Sequence, residues 1–343
     1  MGNCFGRPPG SSTIHPTSPP ATHPTFHSSS SRQQPSGPTR PQPSRTQPTR
    51  PHESRPHPSR AKRRPPSRPI PPAADAARLG RARQSAAATG VLSLNKLSLT
   101  AVPPSLASPP PLTVVRTVSV AHNALLRLDG LPAATPAAVR VDAPHNRLVD
   151  LGSVGGWSRL RRLDVSHNAL GGRALVALLL SGGGWGLTAL AEVDASFNPA
   201  GPALAAAPAA AAAAAGAPRP PPALRVLRLD GCGLTAIGGG VLGGLAGSLA
   251  ELSLSANRLA ALPADVTRCG RLTALAADGN RLGGLPPDFF GALGALTALT
   301  VRGNPGLRMA AVAAMDGYGA YEARRVGGSI RRLGGGLWGG GRV

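Results

Sequence analysis

The sequence predicts an α/β solenoid: a curved stack of short parallel strands, preceded by a disordered arm. Two observations carry this expectation. An apolar unit recurs along residues 87–330, and the composition changes abruptly just before it. Large aliphatic residues are nearly absent between Arg7 and Pro72 and frequent afterwards.

The repeat comes first in the argument. Aligned on an Asn or Cys, eight copies follow the leucine-rich-repeat template L-x-x-L-x-L-x-x-N/C-x-L. Their anchors are Asn123, Asn146, Asn168, Asn198, Cys232, Asn257, Asn280 and Asn304, at intervals of 23, 22, 30, 34, 25, 23 and 24 residues. The copy at Asn257 is the clearest, with Leu249, Leu252, Leu254, Leu259 and Leu262 at the apolar positions. Each copy makes one short parallel strand and a turn, with alternate strand residues facing inward. A single coil cannot bury its apolar face, whereas a stack can. The pattern therefore predicts a leucine-rich-repeat solenoid, a horseshoe with its parallel sheet on the concave side.

The intervals predict the back of the solenoid. The two long ones contain Gly182-Gly183-Gly184 and an Ala-rich run ending in Pro218 to Pro222, both read as inserted loops. Leu262-Pro263 and Leu285-Pro286 predict short irregular or 3₁₀ segments, and helix is expected in the longer copies. Residues from Thr89 to Pro103 read as a degenerate half repeat. Met309 to Arg332 reads as one helix whose aromatics cover the last open coil. The expected organisation is an arm over 1–86, a repeat domain over 87–330 and a flexible Gly-rich tail over 331–343.

Pro, Ser, Thr, Arg and His dominate the arm. Such a segment buries too little apolar surface to offset the entropy of ordering it. From Met1 to Gln84 there are 14 basic and two acidic residues, leaving net +10 of the total +22 for the remainder. This charge favours acidic partners. No aromatics interleave with the arginines as single-strand binding requires, which argues against nucleic acid. Cys4, Cys232 and Cys269 form neither a disulfide framework nor a zinc spacing.

The first residues carry a separate signal. Removal of Met1 exposes Gly2 to N-myristoylation, and Cys4 stands where a membrane-proximal thiol accepts palmitate. Two acyl chains hold a protein stably where one does not, and a basic arm adds attraction to an anionic leaflet. Position six is Gly6 rather than the favoured Ser or Thr.

At Gly2, Thr89-Gly90-Val91, Asn304-Pro305 and Gly317-Tyr318 to Arg325 the chain resembles the small intracellular leucine-rich-repeat proteins of plants and animals, including the plant Ras-group type. The likeness runs from about Ala87 to Arg325. It implies a horseshoe without catalytic residues, used for protein contacts.

Strand residues between the leucines face the concave side. There the sequence places Arg116, Arg140, Arg161, Arg162, Arg225 and Arg228, with a column of Asp142, Asp164 and Asp194 four residues before each Asn. They form the expected partner-binding face. Alternatively, arginines and carboxylates satisfy one another on a solvated sheet. His122, His145 and His167 make a further column with no carboxylate or thiol to complete a metal site. Gly231-Cys232-Gly233 mimics a dinucleotide fingerprint but lies inside a repeat, without the surrounding βαβ unit. No catalytic motif is present and no cofactor is expected.

The sequence thus predicts a monomeric, non-catalytic scaffold. It would be tethered through Gly2 and Cys4 to the cytoplasmic face of a membrane, the plasma membrane included, and bind a protein partner on the concave face. The alternative is a soluble nuclear or cytoplasmic protein whose arm binds nucleic acid or acidic partners.

Overall fold

The computed structural model describes residues 72–107, 109–181, 185–201, 204, 220–238 and 240–331. All belong to one compact unit, Ser67–Val343. Gly2, Cys4 and the rest of 1–71, the Gly182–Gly184 insert, most of the Ala-rich run and residues 332–343 lie outside the described residues.

Nine parallel strands, each three residues long, form one sheet among the described residues, and their order in the sheet is their order in the chain. They are β1 (Val91–Ser93), β2 (Thr117–Ser119), β3 (Arg140–Asp142), β4 (Arg162–Asp164), β5 (Glu192–Asp194), β6 (Val226–Arg228), β7 (Glu251–Ser253), β8 (Ala274–Ala276) and β9 (Ala298–Thr300). The register keeps one apolar residue at the centre of every strand: Leu92, Val118, Val141, Leu163, Val193, Leu227, Leu252, Leu275 and Leu299. The first eight are 0–1% exposed. Complete burial of such a side chain contributes about 1.5–3 kcal/mol, and each coil reaches it only through its neighbours.

The half repeat is a full member of the sheet. Leu92 and Leu94 are buried, and β1 pairs with β2 along its whole length. What it lacks is the Asn. Leu97 stands there instead, and its amide donates to Asn123 Oδ1 of the next coil at 3.0 Å.

The back of the solenoid follows interval length in part. The 30-residue interval holds the helix Gly172–Ser181, and Pro263 leads into a 3₁₀ turn at Ala264–Arg268. After Leu285-Pro286 the chain instead makes one turn of α-helix, Phe289–Ala292, which buries Phe289 and Phe290. Trp157, fully buried behind β4, donates its indole N–H to the Thr135 carbonyl at 3.0 Å.

Both ends differ from the sequence expectation. The boundary at residue 86 falls inside a helix, α1 (Pro72–Thr89). Its run of Ala, Arg and Gln favours helix, and Pro72 opens it where proline is tolerated. Ala86 is buried, and Leu79 and Ala82 pack on the core. Arg83 donates to the carbonyls of Leu106, at 2.7 Å, and Pro110, so the element that covers the first coil begins before the repeats. At the other end one expected helix is two, Met309–Ala313 and Tyr318–Arg331. Gly317 separates them at φ +79°, where a Cβ would lie 3.1 Å from the Gly291 amide nitrogen. The break lets Tyr318 and Tyr321 reach Phe290, with ring centres 5.3 and 5.1 Å apart.

Candidate functional site

Three columns of side chains run across the solvent face of the sheet, set by the strand register. The first position of each strand stacks Arg140 on Arg162 and Arg162 on Glu192. The third position stacks Asp142, Asp164, Asp194 and Arg228 in that order. Arg116, Arg161 and Arg225 come just before β2, β4 and β6, all exposed, on alternate coils. All nine sequence-predicted residues therefore lie on this face or its entry edge.

The centre of the face satisfies much of its own charge. Arg140 Nε reaches both oxygens of Asp142, at 2.9 and 2.7 Å. Arg162 pairs with Glu192 at 2.9 Å, and Arg228 lies 3.9 Å from Glu251. Glu192 and Glu251 escaped the sequence reading, although both occupy the strand position already occupied by Arg140 and Arg162. Exposed pairs of this kind contribute about 0–1 kcal/mol, so they neutralise the face more than they stabilise it. The entry edge is different: no carboxylate among the described residues lies within ion-pair distance of Arg116, Arg161 or Arg225. Arg116 donates instead to the Ala137 carbonyl at 3.1 Å.

Asp164 and Asp194 have a backbone duty as well. Two residues before each template Asn position, an amide must be met as the chain leaves the sheet. Asn95 Oδ1 accepts it from Ala121 at 2.7 Å, and Asp230 Oδ1 from Ser255 at 2.7 Å. Ser255 Oγ accepts the Asp278 amide at 3.3 Å, and Asp278 Oδ1 that of Arg302 at 2.6 Å. This ladder fails at Pro144, which carries no acceptor for the coil after it. Ser166 turns to Asp164 of its own strand, at 3.0 Å, and Ser196 to Asp194, at 3.1 Å.

One position before each anchor the backbone is left-handed in every coil. His122, His145, His167 and Phe197 have φ between 53° and 58° there. Their rings stack face to face, with centres 4.4, 4.3 and 4.4 Å apart and planes within 14°. Phe197 is 49% exposed, and its ring occupies the space where Gly231 would carry a Cβ. The three imidazoles therefore lie parallel and do not converge on a common point as metal ligands do. Phe197, which completes the stack, was not singled out in the sequence, although it precedes Asn198 just as the histidines precede their anchors.

Beneath this row the anchors tie coil to coil. Asn168 Nδ2 donates to the carbonyls of Ala143, one coil back, and Val165, both at 3.0 Å; its Oδ1 accepts the Leu148 amide at 2.9 Å. Asn146, Asn198, Asn257, Asn280 and Asn304 repeat the scheme. Cys232 keeps the backward bond, Sγ to the Ala195 carbonyl at 3.3 Å, and reaches the Asp230 carbonyl of its own coil at 3.6 Å, but offers no oxygen to an amide. The Ala200 amide, which an asparagine there would bind, goes to the Asn198 carbonyl at 2.8 Å. The fold is a leucine-rich-repeat solenoid.

Among solved structures, this solenoid is similar to a leucine-rich-repeat protein of Leptospira interrogans, at 18% identity over 66% of this chain and 58% of that one, with a TM-score of 0.45. The leucine-rich repeat domain of APL1B gives 21% identity over 65% and 58%, with a TM-score of 0.43. YopM, a leucine-rich effector protein from Yersinia pestis, gives 20% over 70% and 56%, with a TM-score of 0.44. This chain spans less than two thirds of each of those proteins. Neither a protein-family model nor a curated protein matches the sequence.

The cysteines of the solenoid are held as neutral thiols. Burial pushes Cys232 and Cys269 up to about 11, and both side chains are buried. A thiolate is the nucleophile, so neither is poised to attack at neutral pH.

Proposed function

We propose that this chain is a non-catalytic protein-binding scaffold that engages an acidic partner across the solvent face of its sheet. The observation that carries this reading is the contrast within that face. Arg140, Arg162 and Arg228 lie beside carboxylates of the chain itself, whereas Arg116, Arg161 and Arg225 are exposed with no carboxylate of the described residues within ion-pair reach. Repetition places these three along one edge, on every second coil. Exposed arginines are favoured anchors in protein interfaces because they stack, bond in a fixed fork and stay charged.

Tethering through Gly2 and Cys4 belongs to the same reading and is supported by the start Met1-Gly2-Asn3-Cys4. No helix among the described residues is long and apolar enough to cross a membrane. An acylated arm would hold the solenoid near the bilayer surface.

The test compares the full chain with an Arg116→Glu, Arg161→Glu, Arg225→Glu variant made in eukaryotic cells. The variant is expected to melt with the wild type and lose the proteins that copurify with it. Retention of all of them would overturn the binding-face reading. Loss of binding only on deletion of the arm, with steep salt dependence, would favour the arm as the binding segment instead. Mass spectrometry of the N-terminal peptide is expected to show myristoyl-Gly2 and acyl-Cys4, and an unmodified peptide would remove the tether.

A further inference from the structure

We propose that the stack His122–His145–His167–Phe197 is a second contact surface, one that takes an acidic segment of a protein partner and grips it more tightly as the pH falls. This inference rests on reading the solenoid as a protein-binding module, and adds a surface and a proton linkage to it.

The position demands φ near +55°, which glycine adopts freely, histidine more readily than most residues, and a bulky residue such as Phe197 only at a cost. Coils 6 to 9 fill it with Gly231, Ala256, Gly279 and Gly303. Four consecutive coils instead carry rings there, all exposed. The solenoid does not need the rings to close its turns, since the small residues close the same turn.

Rings about 4.4 Å apart share their faces and turn a line of imidazole edges to solvent. Two positive charges held at that spacing repel one another. Lys96 precedes His122 in the column and Arg147 lies just past His145, adding positive charge. Of the acids nearest in the chain, Asp142 pairs with Arg140, while Asp164 and Asp194 accept hydrogen bonds from the Ser166 hydroxyl and the Ser196 amide. Carboxylates of a partner laid along the ring edges would add counter-charge there. Binding an acidic segment and proton uptake by the rings are then linked.

The test measures a fluorescent poly-aspartate peptide on the full chain between pH 7.5 and 5.5. Wild type is compared with His122→Asn, His145→Asn, His167→Asn, since asparagine tolerates left-handed backbone. The five histidines at 15, 23, 27, 52 and 57 are common to both proteins, so the difference between the two is the readout. The wild-type affinity is expected to rise roughly tenfold more than the variant's across that range. Equal pH slopes would overturn the proposal. In an Arg161→Glu, Arg225→Glu chain the affinity should fall at both pH values with the slope kept. Normal affinity there, with the histidine-dependent slope present, would sink the arginine-edge reading and leave the ring surface standing. If the triple variant fails to fold, imidazole NMR signals of the wild type decide. They should shift on peptide addition at pH 5.5, and unmoved signals would overturn the idea. Tighter, stack-dependent binding of single-stranded DNA of equal length would overturn it too.

Discussion

Pro144 follows Ala121 at the same step of the backbone ladder: a residue with no amide hydrogen faces one with no side-chain acceptor. Elsewhere that step pairs an amide with an oxygen, as in Asp278 and Ser255. The two omissions compensate, and neither sequence position signals the other, 23 residues away. Replacing Pro144 by Ser should destabilise the solenoid by about 1 kcal/mol, because the new amide has no acceptor and the unfolded chain gains freedom. Adding Ala121→Asn should recover part of the loss. Urea unfolding of the two single variants and the double variant measures the coupling, and strict additivity would mean that the ladder does not operate there.

Asp230 occupies the position that Asn95 occupies in the first coil. Asn95 Oδ1 takes the Ala121 amide and the Ser119 hydroxyl; Asp230 takes the Ser255 amide and the Ser253 hydroxyl. Burial raises the Asp230 carboxyl above its ordinary 3.8, outweighing those hydrogen bonds. The folded chain thus holds this proton more tightly than the unfolded one. The contribution is fully present below pH 3.8 and is lost as pH rises through the raised value. Asp230→Asn should remove that dependence and equal or exceed wild type at neutral pH. Asp230→Ala should cost about 1–3 kcal/mol by stranding the Ser255 amide. Melting curves from pH 3 to 7 separate the two.

Asn257 meets the carbonyls of Leu229 and Leu254 and the amide of Leu234. Asn257→Ala should cost about 3 kcal/mol, since all three groups stay buried without it. Hydrogen exchange should show the loss at the Leu234 amide first. A variant as stable as wild type would place the strength of the stack in its apolar core alone.

Gly231 has φ +62°, and a Cβ there would sit 2.6 Å from the Phe197 ring. Gly231→Ala should destabilise by about 1–2 kcal/mol from backbone strain, with the ring clash added. In the background of Phe197→Ala only the strain should remain. A double-mutant cycle by chemical unfolding yields the clash as the coupling, and zero coupling would mean that Phe197 turns away freely.

Much of the fold was legible because repetition amplifies a weak signal. One L-x-x-L-x-L-x-x-N match means little, but eight in succession place the strands and the core. The half repeat at Thr89 read as incomplete because its Asn position holds Leu97, yet Asn123 of the next coil supplies the bond. The face residues were legible as a column of charges, while their pairing was not. Glu192 and Glu251 become partners of Arg162 and Arg228 only once the register sets them side by side.

By itself the sequence determined the period, the inward residues, the Asn anchors and the face on which the arginines stand. Those follow from local patterning, since alternate residues of a strand point to opposite sides. Tertiary structure alone decided which carboxylate answers which arginine, that Asp164 replaces an acceptor missing at Pro144, and that three histidines and Phe197 form one stack. It also decided that α1 opens the solenoid and that Gly317 breaks the closing helix against Phe290 and Gly291. Most of these rest on contact between coils some 20 to 30 residues apart in the chain, and such contacts exist only after stacking.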